Sequence, residues 1–125
     1  MSLKYFDSGW ALDQERRVIE RAQRGSRESR NEVVLRHVPL VAKRVQRKVF
    51  PKLIRRHGED LVAASVPMLC GKVATYDLRY RDKQGNRKPV PFAAYVWKRI
   101  DGFIIDFIKR ETARDRKEVS GVEFD

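Results

Sequence analysis

Tyr95, Trp97, Lys98 and Arg99 follow Phe92 within two helical turns, and together they form the one concentration of chemistry in this sequence. Flat aromatic faces accept unstacked nucleobases at roughly 1 to 3 kcal/mol each. Arginine planes add stacking and cation-π attraction, and lysines meet phosphate. Phe92 and Tyr95 either present their rings to a base or pack against the core, and Trp97 either meets a base or lies against a basic loop.

Catalytic chemistry has little to build on. His37 and His57 stand apart without the spacing of a zinc site, and there is no glycine-rich phosphate loop and no G-x-S-x-G. Glu59 and Asp60 are adjacent and precede an apolar run, which suits carboxylates at a helix start better than acid/base work. Asp101 and Asp106 are expected to pair at helical spacing with Lys98, Lys109 or Arg110. Cys70 is the only cysteine, so no internal disulfide forms; among Met68, Leu69 and Val73 it reads as a small apolar group. The chain is expected to be a non-enzyme that needs no metal or cofactor.

The 125 residues suffice for one domain with a single core. The surplus of 28 Lys and Arg over 17 Asp and Glu, a formal charge of +11, favours a polyanionic partner, with nucleic acid ahead of an anionic membrane surface. No run approaches the ~20 apolar residues of a membrane span. The first residues lack the apolar stretch of a signal peptide, so a cytoplasmic protein is expected.

Four segments with helical spacing must position these groups, and none alternates like a strand, so the fold class expected is all-α, a compact domain of about four helices. After a leader of residues 1–11, the first helix spans about Leu12 to Arg24, with Leu12, Val18, Ile19 and Ala22 inward and Gly25 as its stop. Ser26 opens the second, whose apolar stripe is Val34, Val38, Val41, Val45 and Val49. Arg36, Lys43, Arg44, Arg47 and Lys48 form its opposite, basic face, and Pro39 is expected to kink it. Pro51 and Gly58 bracket a polar connector with room for one helical turn.

The third helix is expected from about Glu59 to Tyr76, interrupted by Pro67 and Gly71. Between Asp77 and Phe92 a loop carries Arg79, Arg81, Lys83, Arg87 and Lys88, with Gln84-Gly85-Asn86 as its turn tip, and reads as an exposed basic finger. The last helix is expected from Phe92 to Arg114, burying Phe92, Val96, Ile100, Phe103, Ile104 and Phe107, with residues 115–125 as a fraying tail or linker.

Phe92-x-x-Tyr95-x-x-x-Arg99-Ile100-x-Gly102-x-Ile104-Ile105-Asp106-x-x-Lys109-Arg110 resembles region two of bacterial sigma factors, closest to the flagellar and stress-response branch. Two further segments are similar in order and frame: Val18 to Val45, with Ala22-Gln23-x-Gly25 and His37-x-Pro39-Leu40-Val41, and Asp60 to Asp77, with Asp60-Leu61 and Tyr76-Asp77. The resemblance covers roughly residues 18 to 110. It implies a helical domain that docks on the clamp helices of the largest subunit of the RNA polymerase core, recognises the −10 promoter element and helps melt promoter DNA. An anti-sigma factor is a further partner the resemblance allows.

Carried over by position, the resemblance puts Phe92, Tyr95, Trp97, Lys98, Arg99, Lys109 and Arg110 on the DNA, joined by Arg79, Arg81, Lys83, Arg87 and Lys88 of the finger. It puts Asp60, Leu61, Ala63, Ala64, Val66 and Cys70 on the polymerase side. The chain also departs from the family. Lys98 and Arg99 stand where the housekeeping branch has a tryptophan pair, and Ala63-Ala64-Ser65 replaces the family's Gln-Glu-Gly. The finger is about twice the usual length, and no helix-turn-helix follows residue 110. Two rivals remain: a stand-alone basic nucleic-acid-binding module, and a protein-interaction module that docks a regulator or itself through Ala63, Ala64 and Val66.

Overall fold

The computed structural model describes residues 6–81, 83–87 and 90–124, the last eight of these as backbone only. Among the described residues there are four helices: α1 (Leu12–Gln23), α2 (Arg27–Lys48), α3 (Pro51–Thr75) and α4 (Phe92–Phe124). Among the described residues the only β pairing is one antiparallel bridge, Arg81 to Arg87. The fold is all-α.

Gly25, at φ +110°, ends α1 in a conformation that side chains resist, and the Ser26 hydroxyl accepts the Ser29 N–H at 3.1 Å to cap α2. The α2 stripe behaves as its spacing implies: Val34, Val41, Val45 and Val49 are buried and Val38 packs against them. Val18 and Ile19 of α1, Leu61, Leu69 and Val73 of α3, and Val96, Ile100, Ile104 and Phe107 of α4 complete one core. No described helix is long and apolar enough to cross a membrane.

Three boundaries differ from expectation. The connector is helix, because Pro51 stands in the first turn of α3, where a missing N–H costs nothing, and Gly58 lies inside the helix rather than at its edge. Pro39 and Pro67 both lie inside continuous helices; each is exposed, and so are Leu35 and Ala63, whose carbonyls they free. The last helix continues past Arg114 to Phe124. Within the leader, Ser8 and Trp10 are held on α2: Arg36 donates to the Ser8 carbonyl at 2.8 Å and lies 4.1 Å from the centre of the Trp10 ring.

Candidate nucleic-acid interface

The start of α4 is held by side chains from all three other helices. The Glu15 carboxylate of α1 accepts the Phe92 N–H at 3.3 Å, satisfying a donor left over at the helix N-terminus, where negative charge is also favoured. His37 of α2 sits 3.3 Å from the other Glu15 oxygen, and its Nδ1 lies 2.7 Å from the Val33 carbonyl. A carbonyl only accepts, so Nδ1 carries a proton, while Nε2 lies near the carboxylate without a hydrogen bond among the described residues. The third tie comes from Thr75 of α3, whose hydroxyl is hydrogen-bonded to that of Tyr95 at 2.9 Å.

Phe92 is wholly buried, edge-on to His37 with ring centres 4.8 Å apart and stacked with Tyr76 at 6.0 Å. Of its two expected roles it takes the structural one: its ring is closed off from solvent and packs beneath the first turn of α4. Tyr76 is buried as well, with its hydroxyl donating to the Val90 carbonyl. Desolvation raises its pKa above the ordinary 10.0, against the opposing pull of nearby Arg16, so the phenol remains a neutral donor.

Tyr95 and Trp97 are half-buried, each with cationic company. Lys72 lies 4.8 Å from the Tyr95 ring centre, and Lys98 and Arg44 lie 5.8 and 5.6 Å from that of Trp97. Tyr76, Tyr80, Tyr95, Trp97, Lys98 and Asp77 line a cleft of about 460 Å³ at this end of α4. Its walls combine flat rings, one ammonium and one carboxylate, the equipment for holding a planar heterocycle by stacking and polar contact.

Below the cleft, Lys98, Arg99, Lys109 and Arg110 are all exposed. Eleven residues of α-helix make just over three whole turns, so Lys98 aligns with Lys109 and Arg99 with Arg110 about 16 Å apart along one face. Arg79, Arg81, Lys83 and Arg87 are exposed on the finger, while Lys88 lies outside the described residues.

Two expectations about charge are corrected. Arg44 is not on an open basic face: it is 6 % exposed and grips Asp101 with both ends of its fork, at 2.8 and 2.6 Å. Donating to Asp101 raises its pKa, despite the opposing cost of burial. Asp101 therefore pairs across helices, with Lys48 at 4.0 Å as a second cation, rather than with neighbours on α4. The histidines are not isolated either, since His57 faces Asp115 at 3.0 Å.

On α3, Asp60 and Ala63 are exposed, and Ala64, Val66 and Cys70 are half-buried against the core. Leu61 is fully buried, so it belongs to the core and not to a contact surface. Ala63 joins Val45, Ile54 and Val62 along an apolar groove of about 500 Å³ between α2 and α3. Among the described residues, no group of three His, Cys, Asp or Glu is placed to hold a metal ion.

Sequence reasoning overlooked Tyr76, Tyr80, Lys72 and Glu15. Tyr80, an aromatic set among the loop arginines, was the one readable signal; the other three act only through contacts distant in sequence. No family model, no curated protein and no solved structure matches the chain.

Proposed function

We propose that this chain is a nucleic-acid-binding domain of the sigma region-two kind, which holds unpaired bases of a −10 promoter element on α4 and docks RNA polymerase core through α3. The observation that carries the reading is the aromatic cleft at the start of α4, continued along the same helix by Lys98, Arg99, Lys109 and Arg110. Stacking rings suit bases, and aligned cations suit the phosphates between them. The exposed Ala63 and its apolar groove support docking of a protein on α2 and α3.

Fluorescence anisotropy on single-stranded and duplex promoter oligonucleotides tests the DNA half. Tyr95→Ala with Arg99→Ala should weaken single-strand binding about 10- to 100-fold, the loss of one or two stacking partners, and duplex binding far less. Equal losses on both would instead mark a plain basic module. For the protein half, core polymerase should be retained by the wild type and lost by Ala63→Arg with DNA affinity unchanged. Dimerisation that persists at high salt, without DNA affinity, would favour the protein-interaction reading.

A further inference from the structure

A second cleft, of about 480 Å³, opens between α1 and the finger, walled by Arg16 and Arg17 on one side and Arg79 and Arg87 on the other, with Asp13 and Glu20 also lining it. Some of these charges are already engaged. Arg16 donates to the Leu78 carbonyl, and Glu20 pairs with Arg24 at 2.8 Å. Arg17, Arg79 and Arg87 are exposed, and none forms an ion pair among the described residues. Three guanidinium groups thus face one free carboxylate, Asp13.

The backbone behind both walls is tied down. Gln23 of α1 donates to the Val73 and Tyr76 carbonyls at 3.0 and 2.8 Å, joining Arg16 in holding the root of the finger. The finger is closed on itself by the Arg81 to Arg87 bridge, by the bond from Arg81 to the Gly85 carbonyl at 2.9 Å, and by Gly85 at φ +83°. Guanidinium forks match phosphoryl oxygens two at a time, and the tied backbone keeps those of Arg17, Arg79 and Arg87 around one cleft.

We propose that this cleft grips the phosphates of a nucleic-acid backbone outside the stretch held by α4, with Arg17 as a contact on α1 opposite Arg79 and Arg87. The proposal rests on the reading of the partner as nucleic acid. Free polyphosphate offers the same chemistry, so the test separates the two sources.

Anisotropy with one labelled oligonucleotide, single-stranded and as duplex, is followed over a salt series for wild type, Arg17→Gln/Arg87→Gln and Tyr95→Ala/Arg99→Ala. Tripolyphosphate binding is measured in parallel. The cleft variant should lower the slope of log affinity against log salt by about 1.4 on single strand and about 1.8 on duplex, the loss of two phosphate contacts. Arg17→Lys/Arg87→Lys should keep the slope and still lose affinity, because lysine retains the charge without the fork. An unchanged slope in the glutamine variant overturns the proposal, and so does loss of tripolyphosphate binding with DNA binding intact. If Tyr95→Ala/Arg99→Ala leaves strand preference untouched while the cleft variant lowers the slope, the reading of α4 fails and the cleft stands.

Discussion

At its start α4 is tied to α1, α2 and α3 by groups mostly withdrawn from water, whereas at Asp115 it is tied to α3 alone, by one buried group, His57, and one exposed group, Arg56. Glu15 and His37 have 5 % and 0 % of their side chains exposed, and Arg44 and Asp101 have 7 % and 14 %. At the far end Asp115 is 25 % exposed, and of its partners His57 is 8 % and Arg56 62 % exposed. Buried polar contacts are costly to leave half-made, so they hold one geometry; surface pairs are weak and yield to salt and pH. The rigid end carries the aromatic cleft. Position, not the number of charges, separates an anchor from a tether.

The largest expected effect comes from Asp101→Ala, which strands the Arg44 guanidinium in a nearly dry setting. Urea denaturation should show a loss of about 3 to 5 kcal/mol. Replacing both partners by apolar residues, Arg44→Met with Asp101→Leu, should recover most of it; a double variant as unstable as the single would show that the pair supplies more than charge balance. Glu15→Ala comes next, at about 2 kcal/mol, because the buried Phe92 N–H loses its acceptor. Glu15→Gln keeps an acceptor and should lose less. Single-strand affinity should fall along with stability in Glu15→Ala, since the cleft is framed by the first turn of α4.

These anchors mark the limit of what the chain reveals before it folds. The core was legible because burial follows spacing: Val34, Val41, Val45 and Val49 lie where a helical period puts them. Of the expected site, Tyr95, Trp97, Lys98 and Arg99 do gather around the start of α4, since sequence neighbours on a helix remain neighbours. The pairings were not legible. Arg44 and Asp101 are 57 positions apart, and Glu15 and Phe92 are 77 apart, so no local pattern links them. Pro51 misled for a different reason: the residue that stops a helix from inside begins one from its first turn.

Tyr76 sharpens the comparison from the buried side. Its raised pKa means that the folded chain holds the phenolic proton more tightly than the unfolded chain does. The stability this gives is complete below pH 10.0 and is lost as pH rises through the folded value. Tyr76→Phe should cost about 1 kcal/mol at neutral pH, the net worth of the bond to Val90, and should flatten the alkaline loss. Ultraviolet difference absorption, which reads phenolate directly, checks whether ionisation and unfolding coincide.

Asp115 should give the smallest effect, and one of opposite sign in pH. Desolvation works to raise its pKa from 3.8, but the hydrogen bond from His57 and the charge of Arg56 outweigh it, and the net shift is downward. A depressed carboxylate lends stability above its unfolded pKa and loses it as pH falls through the folded one, so this contact acts in the acid limb below about pH 4. Urea midpoints followed down that limb should fall less steeply in Asp115→Asn than in wild type, and added salt should shrink the difference, because Arg56 is largely in water. Asp101→Asn serves as the control from the rigid end, where salt should matter little. If salt moved both variants equally, the two ends of α4 would be held by the same kind of bond, and the contrast between anchor and tether would fail.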